Sequence, residues 1–510
     1  MLIWFVVLYL LLSIGIGVYA SSKVHSAKDF AVAGRHLPLH IVTATVFATW
    51  FGAETVLGIS ATFVKEGLHG VVADPFGASL CLILAGLFFA NKLYRMNLLT
   101  IGDYYRLRYG RTVELIAAVC IVLSYLGWVS AQIKALGLVF NVVSHDAISQ
   151  ELGMFIGAAI VLTYTMFGGM WSVALLDFVQ MTVIMVGMLF IAFFISAKTG
   201  GVGTVVEHAQ AAGKLDFFPH GGYKEWLPFF AAWVTMMLGS IPQQDVFQRI
   251  TSAKNEQTAV RGSVLGGSLY FVFAFVPMFL AYSATLIDPA AFGDLLQKDS
   301  QLVLPTLIMN YTPVFAQVIF FGALLSAIMS CSSATLLAPS VAFTENILKH
   351  FMFKNMNDHQ FLRAMRITVL CFGALVVIFA ISSSASIFEM VENAYKVTLV
   401  AAFVPLAFGL YWKRASNQGA LLAMTFGLGS WLLLEVLSAR VPSVQEFCDV
   451  WPPQLVGLLL SMAGMVAGSL LPQRIGRTLP EEPEHAYLHH HAASHTGHVA
   501  EHAHVPRESR

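Results

Sequence analysis

A carboxylate, two indoles and a run of hydroxyls stand where a membrane-crossing sequence would ordinarily carry leucine and valine. Glu54 lies in TATVFATWFGAETVLG (Thr43–Gly58), among Trp50, Gly52, Thr55 and Gly58. A carboxylate at bilayer depth costs at least about 2.5–3.5 kcal/mol, so Glu54 requires a role. Glycine beside small polar residues lets a helix unwind and turn bare carbonyls towards a cavity, a device from which ion sites are built in secondary transporters. A second stretch, LGSIPQQD (238–245), carries Pro242, Gln243, Gln244 and Asp245. Proline removes a backbone donor and clashes with the preceding turn, so a break is expected there too.

Two further stretches supply oxygens. Ser326–Thr335 reads SAIMSCSSAT. Its hydroxyls serve either as glue between helices or as ligands. The Ser330 hydroxyl and Ala327 carbonyl, opposite the carbonyls of the first break, would cage a hard cation such as sodium. Asp177 and Gln180 follow Gly168-Gly169 at one-turn spacing. Asp177 reads either as a water-facing residue near the helix end or as a point on an ion path. Trp50 and Trp128 are the aromatics best placed for a cavity; anchoring or packing is the plainer reading, and a cationic guest would favour their ring faces. Asp74 reads as a residue at a helix N-terminus.

These residues need a scaffold, and composition names it. The chain is 57% hydrophobic and 11% charged, with mean hydropathy +0.72; soluble domains carry about 25% charged residues. Net charge is zero, and without a basic stripe there is no footprint for nucleic acid. Five cysteines, four of them in apolar segments (Cys81, Cys120, Cys331, Cys371), form no disulfide framework.

Apolar runs predict an all-α polytopic membrane protein with thirteen transmembrane spans at about 2–20, 40–64, 75–91, 113–142, 153–167, 173–197, 226–247, 262–286, 314–342, 367–384, 391–411, 418–437 and 453–471. The first run reads as a retained span, having no basic leader or cleavage site. With the N-terminus outside and the C-terminus cytoplasmic, Lys and Arg concentrate in the cytoplasmic loops, among them Arg95, Arg106, Arg108, Arg111, Arg249 and Lys254. Lys134 and Lys396 lie within snorkelling reach of the outer interface. The two interrupted spans are five apart, so 40–197 and 226–411 form a 5+5 inverted repeat that opens each half with a break, the sequence pointer to a midplane site. Residues 1–471 make the transporter domain. Residues 472–510 hold eight of the 17 histidines and read as a polar cytoplasmic tail with no fixed metal geometry.

The whole pattern resembles the solute:sodium symporter family over about residues 1–470. GISATF (58–63), GGMWSVALLDFVQ (168–180), LGSIPQQDVFQR (238–249) and LLSAIMSCSSATLLAPS (324–340) carry the resemblance together. ATWFG (48–52), SLCLILAGLFFA (79–90) and LRAMRITVLCFGA (362–374) are similar to the high-affinity choline transporter branch, beside the sodium–proline branch. The resemblance implies a LeuT-like fold and sodium-driven alternating access. It implies a sodium site from the carbonyls of Ala48, Phe51 and Ala327, the Ser330 hydroxyl and position 331, where Cys331 stands in place of Ser or Thr. Asp177 would lie on the ion path, and Trp50, Glu54, Thr55, Trp128, Gln243 and Gln244 at the substrate. Gln243 replaces a tryptophan of the choline branch, and Glu54 a small residue.

The expected function is therefore sodium-coupled import of a small organic cation or zwitterion across the inner membrane, by a monomer or weak homo-oligomer in the bilayer. The alternatives are proton coupling and a sensor on a transporter fold. No metal-ligand spacing, nucleophile elbow or phosphate loop points to an enzyme.

Overall fold

The structure is a computed structural model and describes residues 2–352 and 356–475; the histidines of the tail, His485 to His504, lie outside these residues. Fifteen helices carry the account: α1 (Leu2–Ser21), α2 (Leu39–Trp50), α3 (Glu54–Glu66), α4 (Leu68–Arg95), α5 (Ile101–Tyr109), α6 (Arg111–Val143), α7 (Gln150–Lys198), α8 (Tyr223–Gly239), α9 (Gln244–Ser252), α10 (Glu256–Ile287), α11 (Val314–Phe351), α12 (Asp358–Ser382), α13 (Ile387–Tyr411), α14 (Asn417–Ser438) and α15 (Pro453–Leu470). Among the described residues, ten helices are long and apolar enough to cross a membrane, or eleven with the bent pair α2 and α3, which turns by 54°. The chain is an all-helical polytopic membrane protein.

That count differs from thirteen at two places, each with a physical reason. The expected spans 153–167 and 173–197 fall in the single element α7, whose 49 residues would reach about 73 Å if straight, over twice the hydrocarbon thickness. Gly169, at φ +49° and ψ −141°, takes the backbone out of the helix there. The expected span 226–247 is split by Ser240–Gln243 into α8 and α9, each shorter than the roughly 20 residues a span needs.

Apolar side chains clothe the outside: Trp4, Phe193, Val272 and Ile378 are all well exposed. Between helices, glycine permits close approach. A Cβ on Gly262 or Gly266 of α10 would lie 2.4 or 2.5 Å from the Cγ1 of Val42 or Val46 on α2.

One end of the bundle is tied by polar side chains. Thr100 and Asp103 form a capping box on α5. The hydroxyls of Tyr104, Tyr105 and Tyr109 donate to the carbonyls of Leu406, Ala402 and Pro405 on α13 (3.3, 2.9 and 2.7 Å). Asn346 of α11 is the hub: its Nδ2 donates to Asp103 Oδ1 (3.1 Å) and Glu114 Oε1 (2.9 Å), and its Oδ1 accepts from Thr100 Oγ1 (2.8 Å). Arg106 and Arg111 pair with Asp103 and Glu114, so these charges are balanced where they are buried.

Gly169 gives a direct test. An alanine there must hold a left-handed φ and set its Cβ 2.5 Å from the Phe30 carbonyl oxygen. Gly169→Ala is expected to lower stability by about 1–3 kcal/mol, seen as a reduced Tm in detergent. Gly15→Ala, where a Cβ meets nothing within 4 Å, is expected to leave Tm unchanged.

Candidate functional site

The break between α2 and α3 is where the buried polar groups converge. Phe51 (φ −86°, ψ +77°) ends α2. The Ala53 N–H then goes to Gln132 Oε1 on α6 (2.9 Å) instead of continuing the helical ladder to the carbonyl one turn back. Gln132 uses its other end on Glu54: Nε2 donates to Oε2 at 2.5 Å. Trp128, one turn before Gln132, donates Nε1–H to Glu54 Oε1 at 3.0 Å, and the Cys331 thiol of α11 lies 3.9 Å from the same oxygen. Glu54 is 2% exposed. Among the described residues no Lys, Arg or His nitrogen lies within ion-pair distance of it. Two charge-assisted N–H bonds hold this carboxylate.

Beside it stands an aromatic cluster. Trp50 packs edge-on to Trp128 (centroids 5.5 Å apart) and stacks on Tyr395 of α13 (6.0 Å); Trp128 meets Tyr395 at 5.5 Å and stacks on Tyr125 at 5.9 Å. Asp245, the first-turn carboxylate of α9, accepts Trp50 Nε1–H at 3.1 Å and the Tyr125 hydroxyl, and its own N–H donates to the Tyr125 oxygen at 2.8 Å. The second break thus holds the same cluster from the other side. The Tyr395 hydroxyl is fully buried and has no hydrogen-bond partner among the described residues.

On one flank lies a small cavity, about 10 Å³, lined by Glu54, Asp74 and Glu392 with Met236, Phe388 and Val391; that is room for about one water. Asp74 is not the helix-start residue expected of it. Its backbone is extended (φ −140°, ψ +121°), and the side chain is buried, accepting the Tyr270 hydroxyl at 2.5 Å; Thr55 bonds the same hydroxyl at 3.0 Å.

On the other flank is Asp177. The reading of it as a water-facing residue is corrected: it is fully buried, because Ser330 of α11 donates to its Oδ1 (2.6 Å) and Thr45 of α2 to its Oδ2. Arg249, counted with the loop cations, is also corrected. It is 1% exposed, with Nε on Thr49 Oγ1 (3.1 Å) and Nη1 on the Asp245 carbonyl (3.3 Å). Helix α9 runs one turn further than the hydropathy suggests and carries the guanidinium into the bundle.

Of the expected ion residues, Ala48 and Phe51 stand at the end of α2 and Ala327, Ser330 and Cys331 on α11, which packs against α2. Ser330 reaches Asp177, whereas Cys331 reaches Glu54. Of the expected substrate residues, Trp50, Glu54 and Trp128 come together, and Thr55 joins them by donating its hydroxyl to the Trp50 carbonyl at 3.2 Å. Gln243 instead bonds Ser124 of α6 (3.0 Å) and Thr398 of α13 (3.3 Å). Gln244 turns to the start of α5, its Oε1 accepting the Ile101 N–H at 2.9 Å. Sequence reasoning missed Gln132, Tyr125, Tyr270 and Tyr395. A signal existed for Gln132: an amide four residues after Trp128 in an otherwise apolar run puts both on one helix face.

The chain belongs to the sodium:solute symporter family, which residues 30–427 match. It is 27% identical to the human high affinity choline transporter 1 over 84% of this chain and 75% of the relative. It is also 27% identical to the sodium/pantothenate symporter of Escherichia coli (strain K12), over 92% of this chain and 96% of the relative. It shares its fold with a Na+-coupled sialic acid symporter solved in a substrate-bound outward-open state (TM-score 0.77, 18% identity, 93% of this chain and 99% of the other). Family and relatives are transporters, not enzymes.

The Gln132 bridge yields a stability test. Gln132→Leu strips Ala53 N–H and Glu54 of a partner each, and buried polar groups left so cost about 1–3 kcal/mol. The expected result is a clear fall in Tm in detergent, measured against Gln210→Leu, an exposed position whose change leaves Glu54 held.

Proposed function

We propose that this sodium:solute symporter imports a small organic cation or zwitterion, driven by sodium and working by alternating access. The observation that carries the reading is the convergence on one break. Asp177, Thr45 and Ser330 gather hard oxygens on one side of α2, and Glu54 with Trp50, Trp128 and Tyr395 gathers a carboxylate and ring faces on the other. Sodium takes oxygen ligands, and ring faces attract ammonium groups. On this reading Ala48, Phe51, Ala327 and Ser330 hold sodium beside Cys331, and Asp177 receives the ion on its way through. Gln244 then acts away from the solute, joining α9 to α5.

The reading includes thirteen spans, with α7 divided at Gly169 and α8 and α9 counted as one interrupted span. The halves 40–197 and 226–411 are related as inverted repeats. The N-terminus faces outside, so the Asn346 hub closes the cytoplasmic end and the small cavity at Glu54, Asp74 and Glu392 lies on the external approach. A monomer or weak oligomer in the inner membrane suffices. One residue favours a second reading: Cys331 is a soft, weak substitute for an oxygen ligand, and with Glu54 beside it proton coupling becomes the alternative.

Uptake into proteoliposomes separates the two. An inward sodium gradient is expected to drive accumulation of a labelled organic cation, and a proton gradient alone is not. Cys331→Ser returns an oxygen to the site and is expected to lower the half-saturating sodium concentration by about threefold to tenfold, while Ser330→Ala raises it at least about tenfold. Proton-driven accumulation with no response to sodium would favour the second reading.

A further inference from the structure

We infer that the solute is an ammonium that keeps at least one N–H, which Glu54 accepts, rather than a quaternary ammonium. The inference rests on the cation reading above and narrows it. It starts from a count of donors and acceptors around the cage.

Most of the donors are already engaged. Trp128 and Gln132 donate to Glu54, and Trp50 and Tyr125 donate to Asp245. The Gln243 amide is held by Ser124 and Thr398. Arg249, the buried guanidinium nearest the cage, spends Nε and Nη1 on Thr49 and the Asp245 carbonyl. Its Nη2 and the Tyr395 hydroxyl are the donors near the cage without a partner among the described residues.

Acceptors remain. A carboxylate has about four lone-pair directions; two N–H groups and at most one weak thiol contact use three at Glu54. The Tyr395 hydroxyl, fully buried among the rings, has no hydrogen-bond partner among the described residues, and its oxygen can accept as well as donate. Both donors to Glu54 come from one face of α6, four residues apart, so the carboxylate is held in a fixed orientation. Beyond it, Asp74 and Glu392 line the adjoining cavity. Of these three carboxylates, Glu392 has Lys396 one turn away on its own helix, and none has a basic nitrogen within 4.0 Å among the described residues. The small cavity beside the cage is therefore lined by carboxyl oxygens.

A quaternary ammonium needs ring faces alone. It would leave the spare acceptors at Glu54 and Tyr395 unmatched and would press methyl groups on a carboxylate. An N–H ammonium matches them with a charge-assisted hydrogen bond while its charge rests on the faces of Trp50, Trp128 and Tyr395. The rings touch one another here, so the guest must part them on entry.

The test is calorimetric binding to the full-length protein in nanodiscs at saturating sodium, with ethanolamine, its N-methyl and N,N-dimethyl forms, and choline. The first three keep an N–H; choline does not. Binding is expected to change little across the first three and to weaken at least about tenfold at the last methylation. Glu54→Gln, which keeps the shape and removes the charge, is expected to erase that step. Choline binding as tightly as N,N-dimethylethanolamine to the unmodified protein overturns the inference and leaves the cation reading standing. A step that persists undiminished in a folded Glu54→Gln protein overturns the assignment to Glu54. If all four fail to bind at millimolar concentration while a neutral or anionic solute binds, the cation reading itself falls.

Discussion

A buried carboxylate without a neighbouring cation must be held by hydrogen bonds, and at Glu54 that requirement organises the centre of the molecule. Trp128 and Gln132 supply the bonds from α6. Gln132 also takes the Ala53 N–H, which the break in α2 and α3 leaves without a helical partner. One amide therefore answers two needs: the charge that the membrane disfavours and the backbone group that the break exposes. Remove the break and Glu54 has no reason to face α6; remove Gln132 and the break loses a tie. The indole ring of Trp128 is fixed by the same bond, and with it the wall against Trp50 and Tyr395.

Asp245 repeats the arrangement from the second break. Arg249 lies one turn beyond it and reaches Thr49, which is one turn from Thr45, the donor to Asp177. The Arg249 guanidinium bonds the Thr49 hydroxyl and the Asp245 backbone carbonyl, and among the described residues it forms no ion pair with a carboxylate. The polar lock at Asn346 lies beyond α9, and Gln244 reaches to the first residue of the helix that this lock clamps. Movement of α9 would be felt there directly.

Much of this was legible in the residues. Hydropathy runs located most helices to within a few positions, because a long apolar run in a membrane protein has one sensible conformation. Glu54, Trp50 and Trp128 stood out as polar or bulky exceptions within such runs, and they do meet. Both breaks were visible from glycine and proline. What was not legible depends on contacts between distant segments. Asp177 near a helix end gave no sign that Thr45 and Ser330 would enclose it. Arg249 looked like a loop cation because charge alone does not tell that α9 continues inward. Gln243 and Gln244 share a motif with Asp245, yet successive residues at a helix start point in different directions, and only Asp245 faces the cage. Tyr395 and Tyr270 were ordinary aromatics until partners from other helices gave them work. The turn at Gly169 needed a backbone angle that spacing cannot supply.

The central claim is that one broken helix serves an ion on one side and a cation on the other. Two ligands that share such an element must alter each other's affinity by the same factor. The most direct test is calorimetry of an N–H ammonium with and without sodium, using potassium as the replacement, and of sodium with and without that ammonium. The account predicts at least about a tenfold tightening of each by the other. Affinities that are indifferent to the second ligand, in a protein that binds both, would contradict it.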